Sequence, residues 1–581
     1  MNSRVVKWIL NLFLFAGILF SSTWVSFFLG INQPIIIVLS SFLIYYLYKQ
    51  FIENKTILKK WFFIVFSLLF STAFVLGKQV HFNLIRSGMD ENYILIGKRA
   101  ILAIFSLSIL LFPVFSKLSD IISRIEFKNN YDKRLLKDSI FFLLSWLVIM
   151  LSWLPYLLSF YPGGIVGDGA VTIKEAMAPG FPKHNHWVVF VIIVFKIFLW
   201  FGKKISSDIN ISVFLYVLMQ YIFFSGICAF VAYKIRKKQA PLAFQWGTIL
   251  MYSISGFFAS YSMVLWKDTV FSSFIILLIL MLFDFNEEAK ITIGYGIRLG
   301  LIELFICFWR NNGLHILLIV ILGLMIILRK KAFSLLIPSI IVIACTLVIQ
   351  GPIYNVLGVK KDTAIQSFSV PIQQIAAVIG EGKELSENQE DILYNILPEE
   401  TWKTSYCPSL SDDLKNSANQ EYLNSHKKDF FLVWVQLLFP NFSTYVKAYM
   451  MQTLGFWQPG VYRGEYYDYW IGIQDLFEDG YTNTDYWNKW TGLSIKEELK
   501  KLVKFIPSGT IVWIMWFSVA LIIDQRKDIK RRLIIFLPLI SCWAIVMLAT
   551  PIAYAYRYIF MIPLSLPIIC FLPFYRASGS R

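Results

Sequence analysis

YPGGIVGDGAVTIKEAMAPGFPKHNH, residues Tyr161 to His186, is the stretch from which the rest of this chain is read. It follows a long apolar segment and opens on Tyr-Pro-Gly-Gly. That opening stops a helix, because proline has no N–H to donate and glycine tolerates positive φ. Asp168 stands between Gly167 and Gly169, which leaves its backbone and carboxylate accessible. Lys174 and Glu175 follow, then a Pro/Gly turn, then His184 and His186. The stretch is a built polar loop in an apolar context, and its surroundings read as scaffold around it.

Those surroundings are membrane-like. The 581 residues are 57% hydrophobic, with a mean hydropathy of +0.61, too apolar for a soluble globular chain. Many apolar runs reach the roughly 20 residues that cross a bilayer. Before the loop they fall near 8–29, 34–51, 61–78, 100–117 and 138–160. The first, from Trp8 to Gly30, follows Arg4 and Lys7 and exceeds the about 7–15 residues of a signal-peptide core. It reads as a retained anchor. The segments Lys49–Lys60 and Lys117–Lys137 are strongly basic, whereas 30–33 and 79–99 are less so. The positive-inside rule therefore puts the N-terminus in the cytoplasm and the Tyr161–His186 loop outside. The net charge of +17 is topological on this reading, and no nucleic-acid partner is expected. Five of the six cysteines lie in apolar runs, so no disulfide framework is expected.

After the loop, 187–202 is short for a span and is interrupted by Lys196. It reads as an interfacial juxtamembrane helix. The run 209–233 then returns to the cytoplasm, delivering Lys234, Arg236, Lys237 and Lys238 there. Later runs near 241–259, 269–285, 295–309, 313–328 and 333–351 keep Arg329, Lys330 and Lys331 inside. Runs near 508–523, 532–550 and 558–573 enclose the cluster Arg526–Arg532. The expected fold is an all-α polytopic membrane protein of roughly 14 spans with both termini cytoplasmic. The chain divides into a membrane core (1–351), an extracytoplasmic domain of mixed structure (352–506) and C-terminal membrane helices (507–581). In the domain, GEGKELSENQEDILYNILPEE reads as an exposed acidic helix pair, and Phe430–Phe439 as an amphipathic stretch on the membrane. The stretch 456–490, with Trp457 and Trp470, has the Trp/Tyr and acid content of a sugar-stacking surface. The same composition suits a domain core or an interfacial aromatic belt.

Four short polar motifs fall on the outer side of this topology: Gly167-Asp168-Gly169, Trp266-Lys267-Asp268, Trp309-Arg310-Asn311-Asn312-Gly313 and Tyr556-Arg557-Tyr558. A charge at the bilayer centre costs about 2.5–3.5 kcal/mol on insertion scales, so such residues sit at span ends or have a reason to be buried. Carboxylates and guanidiniums on one face suit glycosyl transfer from a lipid phosphate sugar. The acceptor hydroxyl needs a base, for which Asp168 is the candidate. The leaving lipid phosphate needs fixed positive charge, for which Arg310 and Arg557 are candidates with Lys267 as helper. His184, His186 and Asn311, with Trp457 and Trp470, are candidates for substrate binding. A divalent metal held by Asp168 and the two histidines is a second reading of the same residues; the cofactor stays unassigned.

The order of these features resembles the multi-spanning glycosyltransferases of the C-type fold (GT-C), closest to their bacterial relatives of unknown function. YPGGIVGD carries an acid in the first large outer loop, HNHWVVFVIIVFKIF a histidine pair and a juxtamembrane helix, LWKDTVF an acid at the start of a span, and FWRNNGLH an outer Arg-Asn-Asn-Gly. The resemblance covers most of 138–330. Trp187 stands where relatives often have proline. The resemblance implies Asp168 as base or acceptor-binding residue, Asp268 as the second-loop acid, a polyprenyl-phosphate sugar donor and an external active site. The implied acceptor is a cell-wall polymer, a lipid or a protein. A transporter or flippase of lipid-linked saccharides, and a glycan polymerase or ligase, are the rival readings.

Overall fold

The computed structural model describes residues 3–31, 33–54, 57–80, 94–125, 137–165, 167–185, 188–285, 291–360, 364–460, 481–503, 509–526, 528–549, 552–553 and 555–575. Among them every regular element is helical, and the strand-like pairings are isolated bridges. Lipid offers no partner for a backbone N–H or C=O, so an apolar run satisfies itself as a helix.

The first half comprises α1 (Ser3–Leu29), α2 (Pro34–Glu53), α3 (Trp61–Lys78), α4 (Lys98–Arg124), α5 (Asp138–Ser159), α6 (Asp168–Met177), α7 (Val189–Ile205) and α8 (Ile209–Lys237). Next come α9 (Leu242–Ile254), α10 (Gly256–Met263), α11 (Lys267–Asp284), α12 (Ile293–Trp309), α13 (Gly313–Leu328) and α14 (Phe333–Val348). Eight helical segments among the described residues are long and apolar enough to cross a membrane, or nine if the bent pair α9 and α10 is one span. The chain is a multi-pass membrane protein.

One of those eight is the 44-residue run Gly313–Val356. A straight helix of that length would measure about 66 Å at 1.5 Å per residue. Yet α13 and α14 both pack on α12, which has 17 residues. The run is folded back at the 3₁₀ turn Arg329–Ala332, where Arg329 has φ 55°. This agrees with two runs separated by a basic turn.

Helix directions sort the charges into two ends. Asp138, at the start of α5, meets Arg236 and Lys237 at the end of α8. Asp284, at the end of α11, meets Lys234 and Lys238. Lys60 ahead of α3 pairs with Asp120 near the end of α4 and with Asp524 in the helix Thr510–Gln525. Arg532 lies between the two groups: it donates to Gln525, next to Asp524, and to the Leu572 carbonyl at 3.5 Å, which also accepts from the Tyr575 N–H, and Lys238 lies over the Tyr575 ring. The ends of α5 and α12 and the start of α11 therefore lie together at the opposite end, where Asp168, Lys267 and Arg310 follow or begin those helices.

The segment 352–506 differs from expectation. It is helical, not mixed, among its described residues: Ser369–Gly380, Glu387–Ile396, Glu399–Thr404, Lys427–Leu438 and Phe442–Gln452 are its main helices. They enclose their own core around Ile372, Leu393, Trp402, Phe430 and Tyr445. The acidic pair is present, opened by a Ser386/Gln389 capping box. Lys427–Leu438 buries Phe430, Val433 and Leu437 while Phe431, Leu432 and Val435 stay exposed.

Candidate functional site

The first loop is laid against the segment that precedes α11. Gly164 N–H donates to the Met263 carbonyl at 2.9 Å, and Leu265 N–H donates to the Gly164 carbonyl at 2.9 Å. Glycine permits that contact. A Cβ on Gly163 would stand 2.5 Å from Val217 Cγ2, and one on Gly169 would stand 2.8 Å from the Leu265 carbonyl. The two glycines beside Asp168 thus do different work. Gly167 is open and turns the chain at φ 43°, whereas Gly169 is a close-packing residue. From the other side, buried Gln220 donates from Nε2 to Ser262 and Val264 carbonyls at 3.0 and 2.9 Å. The apolar pattern of α8 gave no sign of that strut.

This stitching places Asp168, the first residue of α6, beside Lys267, the first of α11. An acid in the first turn is favoured by the helix dipole. Asp168 Oδ2 lies 3.0 Å from Arg557 Nη1 and 3.9 Å from Lys267 Nζ. One residue on, Asp268 pairs with Arg310, Oδ1 to Nη1 3.0 Å, in a contact whose angles fall short of a hydrogen bond. Arg310 ends α12 in a tight turn. Gly313 N–H donates to its carbonyl at 2.9 Å, and a Cβ at Gly313 would fall 2.0 Å from the Ile306 carbonyl. Asn311 ties this turn to the first loop, donating from Nδ2 to the Asn185 carbonyl at 2.9 Å. Burial pushes the Lys267 ammonium, which lies ahead of the apolar part of its helix, below its ordinary value. Asp168 and Asp268 act against that shift, and Arg310 and Arg557 add to it.

Aromatic faces close the group. The Arg557 guanidinium lies 5.4 Å from the Trp266 ring centre and 5.1 Å from that of Tyr558. Arg310 lies 5.3 Å from Phe271 and 5.3 Å from Tyr558. Each such contact is worth about 0.5–2 kcal/mol, more where water is excluded. Trp266 and Tyr558 stood inside the quoted motifs without a role; Phe271, one helical turn beyond Asp268, is the neighbour that spacing would have offered.

Five of the sequence candidates therefore meet: Asp168, Lys267, Asp268, Arg310 and Arg557. Asn311 is attached to them through the first loop. His184 is exposed, with its backbone bridged to Lys360. Trp457 packs against the apolar cluster that includes Leu76, Ala100 and Leu454, donating its indole N–H to Thr453 Oγ1 at 3.0 Å. His186 and Trp470 lie outside the described residues. Among the described residues no group of three His, Cys, Asp or Glu side chains is arranged to hold a metal ion.

A family model described as a family of unknown function, DUF6020, matches residues 181–580. The chain belongs to that family. No curated protein and no solved structure matches it. The part matched to DUF6020 contains Lys267, Asp268, Arg310, Arg557 and Tyr558, while Asp168 precedes it. Chemically, the DUF6020 chain presents three cations to two carboxylates, one of them part-exposed, against aromatic walls. Such a set can hold an anion and offer a proton acceptor beside it.

Proposed function

We propose that this protein is a membrane glycosyltransferase of the GT-C type. It moves a sugar from a polyprenyl-phosphate donor to an acceptor on the outer side: a cell-wall polymer, a lipid or a protein. The observation that carries the reading is the meeting of Asp168 with Arg557, and of Asp268 with Arg310, at one end of the helices. In this reading the chain has about 14 spans, α7 lies in the outer interface, and both termini are cytoplasmic. Lys196 supports the interfacial placement, because it donates to the Ala178 and Gly180 carbonyls of the outer loop at 2.6 Å each.

Arg310, Arg557 and Lys267 take the donor phosphate and stabilise the charge that grows on it as the glycosidic bond breaks. Arg557 then exchanges part of its contact with Asp168 for the phosphate. Asp168 accepts the proton of the attacking hydroxyl, and displacement is in line with inversion. Asp268 holds Arg310 in place. Turnover of a polyprenyl-phosphate sugar by the purified chain in nanodiscs tests this. Transfer to an acceptor supports it, and binding without transfer by a protein that moves the lipid between leaflets sinks it.

One observation favours the transport reading. Glu303, buried within α12, accepts a hydrogen bond from Ser339 Oγ at 2.8 Å, and its Oε2 has no hydrogen-bond partner among the described residues. Ionisable groups inside spans commonly mark transport paths. Loss of lipid movement with retained transfer in Glu303→Gln would assign the two activities to different residues.

A further inference from the structure

We infer that Tyr558 is the positioning residue of this site, holding Arg310 and Arg557 at a common spacing by the face of its ring. The two guanidiniums come from segments 247 positions apart in sequence, and each pairs with a different carboxylate. Tyr558 is a group that both approach, at 5.3 and 5.1 Å from the ring centre. Its hydroxyl contributes less: Arg557 Nη2 reaches it at 3.4 Å, the long end of a hydrogen bond.

The backbone explains why this ring faces the charges. Tyr556–Ile559 is a 3₁₀ turn, pinned by the Tyr558 N–H donating to the Ala555 carbonyl at 2.9 Å. Tyr556 packs on Phe257 with ring centres 5.3 Å apart, and Phe560 stacks on Tyr261 at 4.1 Å. With those two rings committed to the apolar core, Arg557 and Tyr558 are left on the charged side. A planar guanidinium stacks on a ring face and still presents its N–H edge outward. The Tyr558 ring therefore fixes where both edges point, and an anion bridging the two arginines meets a preset gap.

The test compares Tyr558→Phe and Tyr558→Leu with the wild-type full chain in nanodiscs. The first readout, which rests on the donor reading above, is binding of undecaprenyl phosphate. Leucine should weaken it about tenfold, the equivalent of about 1.4 kcal/mol, at an unchanged unfolding temperature. Phenylalanine should restore it to within about threefold, because the ring face is kept. Wild-type-like binding by the leucine variant overturns the inference. The second readout does not depend on the donor: the rate of phenylglyoxal modification of Arg310 and Arg557, followed by mass spectrometry. Leucine should raise both rates several-fold, and phenylalanine should raise neither. Unchanged rates in the leucine variant overturn the inference, even where no chain binds the lipid and the donor reading alone has failed. A leucine variant that unfolds is replaced by Tyr558→Met, which fills the volume without a ring and is judged by the same two rates.

Discussion

The helices of this protein carry ion pairs at both ends, and the two sets are built differently. At the end marked by Lys60, four of the cations come from one short stretch, Lys234 to Lys238. Each cluster there keeps a carboxylate in reach of water, with Asp120, Asp138 and Asp284 33%, 22% and 36% exposed. At the Asp168 end the charges come from four distant segments; Asp168 is 27% exposed, while Asp268 is 1% exposed against Arg310 at 12%. Exposed pairs are worth about 0–1 kcal/mol. A buried pair must first overcome several kcal/mol of desolvation per ion. The Asp284 pairs anchor helix ends at little cost, whereas Lys60 and Asp524, each 12% exposed, and Arg236, 4% exposed, are part-buried at the same end. The Asp268–Arg310 pair is a poor means of gaining stability.

The sharpest way to break this comparison is to ask whether the two ends face opposite sides. In a background without the six native cysteines, Lys183→Cys should react with a membrane-impermeant thiol label in intact cells, and Lys237→Cys should not. Equal labelling at both positions would place the two ends on one side and remove the basis for an outer site.

Activity should separate the ends next. Asp168→Asn keeps size and polarity but accepts no proton, so turnover should fall about 10²–10⁴-fold, the usual cost of losing a general base. Expression and donor binding should persist. Turnover within a few-fold of wild type would pass the role to Asp268.

Stability should separate them in the same sense. Asp268→Ala strands Arg310 without its buried partner and should cost about 3–5 kcal/mol. Asp284→Ala, which removes a carboxylate 36% exposed, should cost under about 1 kcal/mol. Chemical unfolding of the two purified variants measures both, and equal losses would mean that burial does not distinguish the sets.

The smallest expected effect concerns geometry rather than charge. Arg310→Lys and Arg557→Lys keep the cation but lose the planar fork, so donor KM should rise about tenfold. An unchanged KM in both variants would leave the arginines with a purely structural task.

Much of this site was legible in the residues, for a physical reason. A charge that interrupts an apolar run is costly, so Asp168, Lys267, Asp268, Arg310 and Arg557 stand out against their neighbours. The same contrast marked the long spans and the basic turn at Arg329. It marked α11 and α12 as apolar runs too, although neither is among the eight segments long and apolar enough to cross alone. Pairing was another matter. Asp168 and Arg557 are 389 residues apart, and no local pattern says which acid meets which base, because helix packing decides it. Packing also turned Tyr558 toward two guanidiniums and seated Trp457 against the apolar cluster that includes Leu76, Ala100 and Leu454. Gly169 shows the division most plainly. Its place beside Asp168 suggests open access, whereas the fold uses its missing side chain to let the Leu265 backbone come close.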